Sequence, residues 1–392
     1  MGRNSFGHEE HGWSIWSGVA VSPEVASELK RAKQVQDAIR RADEHKAIVS
    51  SGTAETAATS LQKNSCCADW SGPILQLFEW DELTHDQAST DAHQDSEARE
   101  RKAAVHRRLM ARGAFRRLAC LPEDWRAQLD GIEVRFPNFS GVVDYLRAMF
   151  AVAEHGTKTP APDPILLNGP PGVGKSMFAE CLAQFFGCGY RRLNMENAQT
   201  NAQLVGSDEF WANSKTGAVF EVLVEGDYAN PVFLLDEVDK VRGRPEYDPL
   251  GALYGLLEPG TAKCFRDQSM PRIGIDASRI YWLLTANEAN ALPGPILSRV
   301  RRFDIRPPTP EQAIAILNSI FESLQCEMGL PTELQPLSPD VSAVLGQMAP
   351  RRQRQILREA VGRALYAERH EITADDCRLP MAAEEIERRI GF

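Results

Sequence analysis

The sequence predicts an α/β protein: a parallel sheet with helices on both faces, followed by an all-helical subdomain and preceded by a mainly helical region with a linker. Three observations predict it. Between about Leu121 and Pro310, short β-type apolar runs ("PILLNG", "GYRRLNM", "PVFLLDE", "RIYWLLTAN") alternate with helical patterns, as strands buried on both faces of a sheet require. After Pro310 the strands stop and only helical patterns follow. Before Leu121 the pattern is weak, with a long stretch rich in Ser, Thr, Ala, Asp and Gln. These breaks give an N-terminal region of 1–120, a sheet module of 121–308, and a helical module with tail of 309–392.

Taken in order, residues 1 to about 20 are polar and Gly-rich and read as frayed. A helix is expected from Ser22 as N-cap and Pro23 in the first turn, with Val25, Leu29, Val35 and Ile39 near helical spacing. From Ser50 to Ser96 the composition is that of a linker, broken by the apolar island "WSGPILQLFEW", which is either a short ordered piece or a docking segment. "RKAAVHRRLMARGAFRR", Arg101 to Arg117, reads as an amphipathic helix turning Val105, Leu109, Phe115 and Leu118 inward, in preference to a nucleic-acid surface. In the last module, Thr309, Pro310 and Gln312 form a capping-box signature. Ser338 and Pro339 open a second helix, and a third runs from about Arg351 to Glu368.

Composition sets the bounds. With 392 residues, 43% hydrophobic and 25% charged, the chain has room for two or three domains. No apolar run approaches the roughly 20 residues of a membrane helix, and the N-terminus lacks the apolar core of a signal peptide, so a cytoplasmic location is expected. The eight cysteines include no CxxC pair and no partner histidine at zinc spacing, which implies reduced thiols. A net charge of −10 argues against nucleic acid as the main partner, although a local basic patch keeps it open.

Two stretches carry chemistry. "GPPGVGKS", Gly169 to Ser176, lies between the strand "ILLN" and a helix. Gly169, Gly172 and Gly174 permit backbone conformations that turn successive N–H groups toward phosphate oxygens, with Pro170, Pro171, Val173 and Met177 as the further residues of the nucleotide-binding stretch. Prolines lack that donor, so the Pro170 and Pro171 positions shape the loop without hydrogen bonding through nitrogen. Lys175 is expected to reach the β and γ phosphates of ATP, and the Ser176 hydroxyl to ligate Mg²⁺. In "VFLLDEVDK", four apolar residues deliver two acids to the end of a strand, where open α/β sheets bind ligands. Asp236 is expected to hold the Mg²⁺ shell and Glu237 to polarise an attacking water.

The stretch from about Pro164 to Ile305 resembles the AAA+ ATPase module, and within that superfamily the ATPase domain of the Lon proteases. The likeness is carried by "GPPGVGKS", "FLLDEVDK", "DPLGALYGLLEP", "FRDQSM" and "SRIYWLLTANEANALPGPILSRV". The resemblance implies a P-loop core, a helical lid and a ring, hexameric in that family, acting on a protein partner. It places Asn287 as the sensor that orients water near the γ-phosphate. Arg299 falls at the arginine finger given to a neighbouring subunit, with Arg301 and Arg302 as competitors, and Arg351 at the lid's second sensor, with Arg352 as the alternative. Phe139, Val142 and Val143 are implied as base contacts, and Phe210 and Trp211 as pore-loop aromatics, with Gly206 and Gly217 lending that loop mobility. The chain ends at Phe392, just after the lid, so a Ser-Lys proteolytic domain is not expected. The competing function is an ATP-gated assembly, signalling or DNA-loading module.

Overall fold

Alternation along the strands decides the layers. In β5 (Ile165–Asn168), β7 (Val232–Asp236) and β10 (Tyr281–Ala286), one set of residues, Leu166, Phe233, Leu235, Trp282 and Leu284, enters one hydrophobic cluster. The intervening set, Ile165, Leu167, Val232, Leu234, Tyr281 and Leu283, enters another. Since successive side chains point to opposite faces, the sheet is covered on both, which is why these strands read as continuous apolar runs. The computed structural model describes residues 14–16, 19–21, 67, 69–88, 96–196, 198, 200–209, 213–241, 248–330 and 334–377.

Backbone packing separates residues 1–64 from residues 65–392. Within the first unit, β1 (Ser14–Trp16) pairs antiparallel with β2 (Val19–Val21), Ile15 opposite Ala20. This corrects the expectation of a frayed segment. Ile, Trp and Val favour strands, and the intervening Ser-Gly in the sequence is a two-residue turn signal that net polarity concealed. The helix expected from Ser22 lies outside the described residues.

In the second unit, the apolar island is ordered. β3 (Ile74–Gln76) pairs antiparallel with β4 (Phe115–Arg117), and Leu77, Phe78 and Leu83 are buried in the same cluster as β7 and β10. Between them lie α1 (Trp80–Ala88) and α2 (Ser96–Arg112). The helix does not run to Arg117: Gly113 takes a left-handed φ of 72° and turns the chain into β4. Val105, Leu109 and Leu118 are buried as expected, with Phe115 only partly so. Arg108, Arg112 and Arg116 are engaged internally. Arg116 is fully buried and donates to the carbonyls of Leu223 at 3.0 Å and Val224 at 2.7 Å, at the end of α7 (Ala218–Glu225). It thereby satisfies orphan acceptors of that helix. Arg108 pairs with Glu225 and Arg112 with Asp227.

The five-stranded sheet is all parallel in the order β11-β5-β10-β7-β6, with β6 at Tyr190–Asn194 and β11 at Arg301–Asp304. The last of these strands gave little signal in sequence, because "RRFD" is an edge strand held by backbone pairing to β5 with Arg301 and Arg302 exposed. Helices α3 (Trp125–Arg135), α4 (Ser140–His155) and α5 (Lys175–Phe186) cover one face; α7 covers the other, following the short α6 (Ala202–Val205).

The short α8 (Leu253–Leu256) and α9 (Pro259–Ala262), the antiparallel pair β8 (Phe265–Arg266) and β9 (Gly274–Ile275), and α10 (Gly294–Leu297) lead to three helices with a core of their own: α11 (Pro310–Met328), α12 (Pro339–Leu345) and α13 (Pro350–Tyr366). The capping box at Thr309 is present in both directions, Gln312 N–H donating to Thr309 Oγ1 and Thr309 N–H to Gln312 Oε1. Gln353 is buried and donates to the carbonyls of Ala313 at 3.2 Å and Leu345 at 3.1 Å, so one side chain ties the three helices together. Among the described residues no helix is long and apolar enough to cross a membrane, and the seven described cysteines are free thiols.

Candidate functional site

The strand order places the ends of β5, β10 and β7 side by side, and the chemistry collects there. β5 runs into the glycine turn, where Gly172 and Gly174 have φ of 84° and 104°, and α5 begins at Lys175. Side chains rarely adopt these angles, so the turn depends on glycine. Gly169 is needed for another reason: a Cβ there would lie 2.2 Å from the Ile305 carbonyl oxygen. Lys175 is buried, and its Nζ donates to the carbonyls of Gly169 at 2.6 Å and Pro170 at 3.0 Å and to Asn287 Oδ1 at 3.0 Å. Burial lowers the pKa of its ammonium, opposed by the charges of Asp236, Asp239 and Glu237.

β7 delivers Asp236 to the same edge. Ser176 Oγ donates to Asp236 Oδ2 at 3.1 Å, while Thr285 of β10 donates to the other oxygen. Glu237 follows in the left-handed region at φ 59°, ψ 47°, a conformation costing a non-glycine residue about 1 kcal/mol. Its N–H donates to Thr285 Oγ1 at 2.9 Å, which holds the strained turn. Asp239 supports the neighbouring strand end, accepting from the backbone N–H groups of Asn287 at 3.1 Å and Glu288 at 3.0 Å.

Most of these groups line one cavity of about 270 Å³ that also receives the lid. Pro171 to Met177, Asp236, Glu237 and Asn287 border it, and Arg351 from the start of α13 closes it. Gly169 and Pro170 contribute their carbonyls to Lys175 behind its wall. Arg352 instead donates to Gln355 on the exposed side of α13. Expected base contacts are corrected: Phe139, Val142 and Val143 are fully buried, with Phe139 stacked on Phe178 at 4.6 Å. Phe136, Asn138, Ile316 and Ile320 border the cavity in their place. The helix periodicity that marked the three residues is that of a core face.

Arg299 does not border this cavity. Its Nη1 donates to Pro295 O at 2.9 Å, its Nε lies 3.4 Å from Glu258, and it lines a separate cavity of about 720 Å³ together with Arg301. Arg301 lies over the Tyr145 ring at 4.4 Å, and Arg302 pairs with Asp304 at 2.8 Å. Phe210 and Trp211 lie outside the described residues. The base of their loop is closed: Ser207 N–H donates to Lys215 O at 3.0 Å, and Gly217 N–H to Asp267 Oδ2 at 2.8 Å. Gly206 and Gly217 serve close approach there, not mobility, since a Cβ on Gly206 would lie 2.1 Å from Asp267 Oδ1 and one on Gly217 2.3 Å from Gly206 N. Asp267 is fully buried, and burial raises its pKa to about 6.

Thr285, Asp239 and Arg192, which completes the contacts of Asp236, are the additions to the site. Thr285 had a signal in sequence, a lone hydroxyl in the apolar strand "YWLLTAN"; the other two depend on strand pairing. For a divalent ion the donor set fits: a hydroxyl and a carboxylate oxygen, both hard, share one point, leaving room for waters and phosphate oxygens as Mg²⁺ prefers.

A glycine turn at a helix start, an amine beside it, and two acids at the end of the next-but-one strand define a P-loop nucleotide-binding module. Residues 165–310 match the family described as "ATPase family associated with various cellular activities (AAA)". The chain is similar to a Lon protease of Salinispora arenicola, 33% identical over 152 residues, 39% of this chain and 19% of the relative. It is also similar to the peroxisomal Lon protease homolog 2 of Spinacia oleracea, 28% identical over 208 residues (53% and 23%), and to Lon protease 2 of Sorangium cellulosum, 28% over 229 residues (58% and 27%). The chain thus spans between 19% and 27% of the length of these relatives.

Proposed function

We propose that this chain is a Mg²⁺-dependent ATPase that works as a homo-oligomeric ring, hexameric by analogy with its resemblance, and remodels or unfolds a protein partner. The observation that carries the proposal is the convergence of Lys175, Ser176, Asp236, Glu237 and Asn287 on one cavity closed by Arg351 from the lid. In this reading the amides from Gly172 to Ser176 bind the phosphates, Lys175 neutralises the β and γ groups, and Ser176 and Asp236 hold Mg²⁺. The metal supplies charge neutralisation on the transferred phosphoryl group. Glu237, aimed by its left-handed backbone, orients and deprotonates the water; Asn287 fixes its position. Arg351 contacts the nucleotide from the lid and reports its state to the helical module.

Arg299 acts on the site of a neighbouring subunit, a role consistent with its distance from the cavity of its own chain. The proteases named among the relatives support a protein as the partner, with Phe210 and Trp211 as the gripping residues. Internal pairing of Arg108, Arg112 and Arg116 disfavours the DNA-loading alternative. The test is ATP turnover with and without an unfolded protein. Turnover should require Mg²⁺ and rise with the unfolded chain, and Trp211→Ala should abolish remodelling while ATP is still hydrolysed. Turnover indifferent to every protein added, or remodelling unchanged in Trp211→Ala, contradicts the threading reading.

A further inference from the structure

Asp236 carries more partners than a metal-holding carboxylate needs. Thr285 occupies Oδ1, and Ser176 donates to Oδ2. A third donor, Nη2 of Arg192, also meets Oδ2, at 2.5 Å. Arg192 lies on β6, opposite Leu234, two residues before Asn194 faces Asp236, so its side chain reaches forward along the strand edge to the carboxylate. Asp236 is 7% exposed at its side chain and Arg192 48%, and Arg192 borders the nucleotide cavity.

We infer that Arg192 is a positioning residue that competes with the divalent cation for Asp236 Oδ2: it fixes the carboxylate before metal arrives and is expelled from it by the metal. The inference rests on the assignment of Ser176 and Asp236 as metal-holding residues. Its physical basis is the single oxygen shared by Ser176 and Arg192. A metal held by Ser176 and Asp236 would draw on that oxygen, and a guanidinium within about 4 Å of a dication would be repelled. The guanidinium is half-exposed, so its release toward solvent restores hydration at low cost. Arg192 therefore keeps Asp236 oriented, and raises the metal concentration at which the site closes around a nucleotide.

The experiment measures Mn²⁺ binding to the full chain, by electron paramagnetic resonance of free Mn²⁺, with a non-hydrolysable ATP analogue present. Arg192→Gln is expected to tighten Mn²⁺ about threefold to tenfold, the range set by a partly exposed ion pair. Arg192→Lys, which keeps the charge but shortens the reach, should tighten it less, and supplies the comparison should the glutamine variant not fold. Arg191→Gln makes the same charge change at a neighbour that pairs with Glu221 and should leave Mn²⁺ affinity within about twofold of the parent. Equal or weaker Mn²⁺ affinity in Arg192→Gln, or equal tightening by Arg191→Gln, overturns the competition. If the parent chain binds nucleotide but no Mn²⁺, the assignment of Ser176 and Asp236 fails first, and the competition fails with it.

Discussion

Lys175 and Asn287, 112 residues apart, are hydrogen-bonded, Nζ to Oδ1 at 3.0 Å, so the glycine turn and the end of β10 share one contact at the floor of the cavity. The two roles expected of these residues are therefore coupled: an event that draws Lys175 toward phosphate also frees the amide of Asn287. Asn287→Ala is expected to lower ATP turnover about tenfold to a hundredfold, the scale of losing one positioned polar group, with nucleotide affinity within a few-fold of the parent. Steady-state kinetics beside equilibrium nucleotide binding check this. A loss confined to affinity would assign Asn287 to ground-state binding.

Gly169→Ala would place a Cβ 2.2 Å from a backbone oxygen of Ile305 that has little freedom to move. The expected cost is about 1–3 kcal/mol of stability, with weakened ATP binding because the turn shifts. Thermal unfolding with and without nucleotide measures both. An unchanged melting temperature would mean that β11 yields.

Asp267 sets a pH dependence. Burial raises its pKa from the ordinary 3.8 to about 6, so the folded chain favours the protonated acid. Its contribution is complete below about pH 4 and is lost as the pH rises through about 6. Relative to Asp267→Asn, which does not titrate, the parent chain should lose on the order of 2 kcal/mol between pH 4 and 7. Melting curves for both chains across that range test it; a difference independent of pH would show that Asp267 does not titrate there.

Arg299 and Glu237 should complement each other in mixtures. Each of Arg299→Ala and Glu237→Gln is expected to lose at least about a hundredfold in turnover. Mixed in equal amounts, they form some sites with Glu237 from one subunit and Arg299 from another, and part of the turnover should return. Activity of Arg299→Ala near that of the parent would shift the role to Arg301 or Arg302. The first of these is held over Tyr145 and the second by Asp304.

The sheet strands were legible because both faces are buried, which leaves a run such as "VFLLD" uniformly apolar. The helix starts at Thr309 and Ser338 were legible because capping is local chemistry. The glycine turn and the acids of β7 were legible because phosphate and metal chemistry dictates their residue types. What escaped depends on pairing between distant segments. β11 is polar and held by its backbone, and Arg192 meets Asp236 only through the register of β6 on β7. Phe139 and Val142 have the spacing of a face that could line a pocket, but Phe178 and the rest of the core cover it. Gly206 and Gly217 looked like hinges because a sequence does not reveal Asp267 packed against them.

In the proposed mechanism Glu237, which follows β7, converts nucleotide binding into hydrolysis. The measurement that tests it most directly follows radiolabelled ATP on the parent chain and on Glu237→Gln, recording bound nucleotide and released phosphate together. Mg²⁺-dependent phosphate release is expected of the parent, and in the variant ATP retained intact with release reduced at least about a hundredfold. Phosphate release by Glu237→Gln at the parent rate, or a parent chain that holds ATP without cleaving it, would contradict it.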